Sequence, residues 1–506
     1  MLVDPGYDDV ARQLEAGRPC VLRARLVADL ETPVAAFLKL RHGREGAAFL
    51  LESVEGGAVR GRYSMIGLEP DLVWRCQDGA AEISRASRDG KGAFVRDERP
   101  PLDSLRALIA ESTIALADEL PPMSAGLFGY LGYDMVRLME RLPAANPDAL
   151  GVPDAIFVRP TVMVVFDAVR DEISLITPIR PQAGVTAKAA YETALARLET
   201  IMWALERPLP VEDRTDPRDI RFEEQRSNTS PAEFEAMVDR AKEYIRAGDV
   251  FQVVLSQRFE APFPLPPFTL YRSLRRVNPA PFLCYLDFND FQIVCSSPEI
   301  LVRVRDHKVT IRPIAGTRPR GATPADDRRL ADELLADPKE RAEHLMLLDL
   351  GRNDAGRVSS VGSVEVTDSF FLEYYSQVMH IVSNVEGRLD PRFDALDALV
   401  AGFPAGTVSG APKVRAMEII DELEKDKRGP YAGCIGYFGA NGEMDTCIVL
   451  RTAVVKDGRM AVQAGAGIVY DSDPASEQQE CINKAKALFR AAEEAVRFAS
   501  RAQRGQ

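Results

Sequence analysis

The sequence has no surplus of positive charge. It holds 63 Lys and Arg against 76 Asp and Glu, a net charge of −13. Nucleic acid requires a basic face, so this balance argues against it as a partner. It equally argues against an acidic membrane surface. No apolar run approaches a membrane span, and the opening MLVDPGYDDV is acidic, without the apolar region of a signal peptide. Cysteine is sparse and unpatterned. Cys20, Cys76, Cys284, Cys295, Cys434, Cys447 and Cys481 include no C-x-x-C. Such a set reads as free thiols in a reducing compartment, and a cytoplasmic location is expected. If the substrate is an anion, positive charge must be supplied locally, by a few Arg or Lys, by backbone N–H groups or by a metal ion.

What is present is enough for a large core. With 506 residues, 46% of them hydrophobic, the chain can form two domains or one large α+β unit. Residues to about Trp203 mix strand-like runs (PTVMVVFDAV) with Gly-containing turns (GLFGYLGYD). The stretch LERPLPVEDRTDPRDIRFEEQRSNTS then lacks periodicity and reads as a boundary. The expected division is an N-terminal α+β region over 1–205, a linker over 206–229 and a second region over 230–506, the two regions packed as one unit. Ser230 as N-cap, Pro231, Glu233 at the third helical position and Gly248 as terminator predict a helix. A strand follows at VFQVVLSQRFE. Near the C-terminus, NGEMD and KDGRM predict hairpin turns joining three strands, and Asp473-Pro474 opens a last helix. Strands mixed with single helices, without strict βαβ alternation, predict an α+β fold with antiparallel sheets packed face to face and helices outside.

One stretch poses a problem. In KERAEHLMLLDLGRND, Glu343 shares a helical face with Met346, Leu347 and Leu350. A lone buried carboxylate costs several kcal/mol unless it is paired or binds a metal. An ion pair with Arg352 is the structural alternative, whereas Glu340 has a capping role available behind Asp337. On the last helix Glu477, Glu480 and Lys484 flank an apolar face. Two helices offering carboxylates suit a hard cation such as Mg²⁺; a solvated Glu-Lys pair is the alternative. IAGTRPRG and QAGAGIVYDSD lack side chains where a ligand carboxylate could meet backbone N–H groups, or they are simply tight turns. GTVSGAPK fails the phosphate-loop spacing. His380, one of four histidines, lies in an alternating strand pattern where a structural role is the commoner outcome. Glu299 ends the run FQIVCSSPE and could equally be a solvated strand end.

Taken together and in order, SSPE, PIAGTRPRG, KERAEHLMLLDLGRND, YYSQVMHIVSNVEG, FPAGTVSGAPKVRAMEIIDELE, RGPYAGCIGYF, DTCIVLRT and QAGAGIVYDSDPASEQQECINKA resemble the chorismate-binding enzymes. The resemblance is dense from Ser230 to Phe489. It is closest to the anthranilate-forming large subunits, whose regulatory region is similar to LLESVEGGAVRGRYSMIG. The resemblance implies that Glu343 and Glu480 hold Mg²⁺, and that Gly316, Thr317, Tyr431, Arg451, Gly465, Ala466, Gly467 and Lys484 bind chorismate. It implies catalytic roles for Glu299, as general acid at the C4 hydroxyl, and for His380, Gln252 and Thr407. An imidazole of ordinary pKa, ~6.5, would suit neutral pH. Ammonia is expected from a separate glutamine amidotransferase subunit in a heterotetramer, because this chain shows no G-x-C-x-G nucleophile elbow.

Two positions bear on the branch. Water-using relatives carry Lys where this chain has Gln252. Aminodeoxychorismate synthase, the alternative, commonly has Lys where this chain has Ala315. Both point to anthranilate formation. Feedback inhibition by tryptophan is expected at Ser53 and at Pro281, Phe282 and Leu283, where the family typically has Pro-Tyr-Met. A non-catalytic binding protein on this fold would need a broken site, and each carried-over position is chemically intact.

Overall fold

The computed structural model describes residues 2–55, 59–85, 92–210, 225–375 and 378–500. Most of the expected 206–229 linker therefore lies outside the described residues. Local signals act as their chemistry dictates. Ser230 and Glu233 form a reciprocal capping box, Pro231 opens the helix Pro231–Ala247, and Gly248 closes it at φ 86°. Asp337 caps Pro338–Gly356 by accepting from the Lys339 and Glu340 N–H groups. Glu340 does not complete a capping box. Its side chain turns instead to Arg318, 2.9 Å away.

Every strand pairing among the described residues is antiparallel, so the α+β architecture is as expected. Strands from the first 205 residues pair directly with strands beyond 230. Phe282–Asp287 lies against Ala48–Glu55, and Cys434–Gly439 lies against Gly126–Leu131. One apolar core includes Phe49, Phe128, Ile293 and Cys447, all buried, from both parts of the chain. The helix Pro474–Ser500 packs against both Pro231–Ala247 and Pro267–Val277. Pro338–Gly356 packs on the strands Ile314–Pro319 and Val378–Arg388.

The three strands expected near the C-terminus are four: Cys434–Gly439, Met444–Ile448, Thr452–Lys456 and Arg459–Ile468. The turns at Gly442 and Gly458, both at positive φ, are as expected. The additional break falls inside the apolar run IVLRTAVV, where Arg451 adopts φ 48°. A positive φ is costly for a bulky L-residue and ends the ladder there. A matching break at Pro298-Glu299 separates Phe291–Ser297 from Ile300–Arg305. The two breaks are neighbours. Thr452 is the register partner of Cys295 on one side, and Cys447 that of Ile300 on the other. Two adjacent strands thus change partners at one place, and the residues freed there are Glu299 and Arg451.

Candidate active site

At the double break the backbone is still held. The Ser296 N–H donates to the Arg451 carbonyl at 3.2 Å, and the Ile448 N–H to that of Glu299 at 3.0 Å. Only the side chains are free to face a ligand. The Glu299 carboxyl is 5% exposed, and burial pushes its pKa up to about 8, against weaker pulls from the Thr407 hydroxyl, the Ile314 N–H and the Arg451 charge. At neutral pH it is mainly protonated. The Thr407 hydroxyl donates to Oε2 at 3.3 Å. Burial lowers the Arg451 pKa, with Tyr375 and Glu299 opposing it. Among the described residues no ion pair neutralises this guanidinium, so an incoming carboxylate would satisfy it.

His380 lies on Val378–Arg388 beside Ile314–Pro319, with Thr317 as its register partner. Its Nδ1 is 3.0 Å from both the Gly316 carbonyl and the Thr317 hydroxyl. A carbonyl can only accept, so Nδ1 carries the proton and Nε2 keeps its lone pair. Burial drives the imidazole down to about 4, well below the ordinary value expected from the sequence. His380 is therefore a neutral group at physiological pH. Tyr375 packs edge-on against it, ring centroids 5.5 Å apart. His344, the other buried histidine of this region, pairs with the Ser383 hydroxyl inside the fold and serves packing.

The problem of Glu343 is resolved on the opposite side of the site. Arg352 pairs with Asp349 instead, so the expected structural alternative does not form. Glu343 accepts a 3.0 Å hydrogen bond from Gln252 Nε2. Burial raises its pKa, and the Glu340 and Glu480 carboxylates raise it further. Its apolar helical neighbours Leu347 and Leu350 line a cavity of about 30 Å³ shared with Glu299 and Thr407. Glu480 is half exposed, 2.7 Å from Lys484 Nζ, and Lys484 also donates to the Gly465 carbonyl at 2.9 Å. A half-buried carboxylate close to the Glu340 and Glu480 carboxylates, with no ion pair to it among the described residues, is a donor set of oxygens alone. That set fits Mg²⁺.

The glycines make room. A Cβ on Gly467 would lie 2.7 Å from Gln252 Nε2, and one on Gly465 would lie 2.8 Å from the Tyr431 hydroxyl. Gly316, at φ 71°, faces the Glu340 carboxylate. Gly465, Ala466 and Gly467 pair with Ser256, Leu255 and Val254, two residues from Gln252. These residues thus gather around one strand pair.

A chorismate binding enzyme family model matches residues 60–490. The chain belongs to the chorismate-binding enzymes. It is 56% identical to anthranilate synthase component 1 of Cereibacter sphaeroides over 99% of both chains. Its structure is similar to that of anthranilate synthase component I from Streptococcus pneumoniae, with TM-score 0.75 and 40% identity, covering 92% of this chain and 99% of that one. The fold alone is shared with the menaquinone-specific isochorismate synthase of Escherichia coli, at TM-score 0.70 and 18% identity over 96% and 98% of the two chains.

The residues expected to sense tryptophan form a second group. Ser53 and Phe282 are register partners on adjacent strands. The Ser53 hydroxyl donates to the Tyr63 carbonyl at 3.2 Å. Pro281 is partly buried beside them, whereas Leu283 points into the core and is 2% exposed. Residues 56–58 of the LLES stretch lie outside the described residues.

Sequence reading missed the support beneath this candidate site. Arg428 is wholly buried. It donates to Glu424, to the Val408 carbonyl beside Thr407, and to the Val254 carbonyl two residues from Gln252. Its guanidinium also lies 5.6 Å from the centre of the Tyr431 ring. The i,i+4 spacing of Glu424 and Arg428 was a visible signal, but on a helix surface such spacing is commonplace.

Proposed function

We propose that this chain is the chorismate-aminating subunit of an anthranilate synthase. The observation that carries the proposal is the pairing at the double strand break. A buried carboxyl protonated at neutral pH lies beside a buried guanidinium without an anion. Arg451, with the backbone of Gly465 to Gly467, Tyr431 and Lys484, would hold the carboxylates of chorismate. Gly316 and Thr317 would hold the opposite edge.

Ammonia attacks C2 of chorismate as the C4 hydroxyl departs. Glu299 supplies the proton that makes it water, and Thr407 holds its carboxyl in place. Gln252, a neutral amide, orients the incoming amine and steadies Glu343. The C2 proton is then removed, pyruvate departs and the ring becomes aromatic. His380, neutral with Nε2 free, accepts a proton in this stage. Mg²⁺ held by Glu343 and Glu480 would, when bound, clamp and neutralise the ring carboxylate next to C2.

The proposal includes a glutamine amidotransferase partner (anthranilate synthase component II) in a heterotetramer, feedback by tryptophan at Ser53 and Phe282, and a cytoplasmic setting. Among the described residues no helix is long and apolar enough to cross a membrane. The isolated chain, given chorismate, Mg²⁺ and ammonium at alkaline pH, should produce fluorescent anthranilate. With glutamine alone it should not. A product aminated at C4 rather than C2 that keeps its enolpyruvyl group would support the aminodeoxychorismate reading instead.

A further inference from the structure

Three of the seven cysteines meet in the core. Cys284 lies on Phe282–Asp287, Cys295 is its direct register partner on Phe291–Ser297, and Cys447 comes from Met444–Ile448. Their sulfurs all lie within 4.8 Å of one another, and each residue is at most 4% exposed. No disulfide joins them. The other four cysteines are free and buried as well, but no comparable group forms among the described residues. Small apolar packing accounts for a lone buried cysteine. It does not account for three thiols from three strands aimed at one point.

We propose that Cys284, Cys295 and Cys447 form a binding site for a thiophilic divalent cation of the Zn²⁺ and Cd²⁺ type. Three sulfurs bonded at ~2.3 Å to a tetrahedral ion stand ~3.8 Å apart, so the cluster closes with a contraction of at most about 1 Å. Oxygen for the fourth position is at hand. The Leu450 carbonyl is 3.7 Å from the Cys295 sulfur, and the Thr452 hydroxyl and Ser297 N–H are within hydrogen-bond reach of it. On binding, three S–H protons pass to solvent as three metal–sulfur bonds form. One net negative charge remains, next to those donors. The site is chemically distinct from the Glu343–Glu480 pair, since thiolates select soft ions and carboxylates hard ones.

The position gives the site a consequence. Cys295 is four residues before Glu299, and Cys447 four residues before Arg451. An ion drawing the three sulfurs together would pull on both strands just before the breaks that release those side chains. Occupancy should therefore change turnover. This last step rests on the proposed function; the binding itself does not.

The test uses the full reduced chain with Mg²⁺ in excess, titrated with Cd²⁺ and followed by sulfur-to-cadmium charge-transfer absorption, which carboxylates do not give. Burial makes access depend on local opening, so each point is followed to equilibrium. The expected result is saturation at one equivalent, with an intensity corresponding to three thiolates. Cys284→Ala and Cys447→Ala should each weaken binding at least tenfold, while Cys76→Ala and Cys481→Ala should not. Absence of the band in the native wild type, or an intensity of two thiolates or fewer, overturns the proposal even if a variant fails to fold. So does binding that survives both cluster variants. Binding to the wild type with unchanged turnover at saturating Cd²⁺ would overturn only the coupling to the active site.

Discussion

Glu299 and His380 show how burial assigns proton roles that residue type leaves open. Glu299 holds a proton in the folded chain between its ordinary value of 4.5 and about 8. The unfolded chain releases that proton, so the stabilising contribution is complete below 4.5 and is lost as the pH rises towards 8. Glu299→Gln removes this dependence. The variant should lose about 10²- to 10⁴-fold in turnover, yet its melting temperature should gain on the wild type as the pH is raised from 5 to 8. A parallel decline of the two melting curves would mean that Glu299 is not protonated when folded. His380→Met should slow pyruvate elimination more than amination, so that chromatography of a chorismate–ammonium reaction shows an amine that still carries the enolpyruvyl group. Because the imidazole is held down to about 4, elimination in the wild type should show no acid limb near pH 6.5 when free ammonia is kept constant. Equal loss of both stages would move His380 to the first. The expense of Glu343 was legible in the sequence, because a charge in an apolar stripe must be compensated. The state of Glu299 was not, because a strand-end carboxylate looks the same whether solvent or a second broken strand covers it.

Secondary-structure elements matter here mainly through where they stop. The run from Cys447 to Val455 reads as one strand by composition, and no local signal marks the positive φ at Arg451; only the partner strands impose it. Caps and hairpin turns were legible because their signals are local. The strand Arg459–Ile468 illustrates how glycines in one strand govern a side chain on the next. In Gly467→Ala the new Cβ would displace Gln252 from Glu343. By analogy with outer-shell ligand changes, the Mg²⁺ concentration for half-maximal turnover should rise about 10- to 100-fold with the melting temperature little changed. An unaltered Mg²⁺ requirement would detach Gln252 from the metal pair. The strand pair Ala48–Glu55 and Phe282–Asp287 carries the other expectation. Ser53→Phe places a ring where Ser53 faces Phe282, and should abolish tryptophan inhibition while leaving the KM for chorismate within about twofold. Inhibition that persists and competes with chorismate would argue for a single site.

At the scale of the whole molecule, family membership was legible because ordered motifs sit where the site is built. The joining of early and late strands was not legible, because no periodicity reports which strand a distant strand will meet. That joining has a consequence for the chain as it is made. Gly126–Leu131 finds its partner in Cys434–Gly439, about 300 residues later. At a synthesis rate of roughly 5–20 residues per second, the early strand waits on the order of 15–60 seconds with one edge unpaired. Its apolar side chains, Leu127 on one face and Phe128 on the other, are buried in the finished fold. The nascent first half is thus a natural client for a chaperone at the ribosome exit, and the helix Pro474–Ser500, which delivers Glu480, is translated after every strand of the described residues. The proposed Glu343–Glu480 pair cannot assemble until that helix has been made, so a nascent chain lacking it could not bind chorismate through that pair.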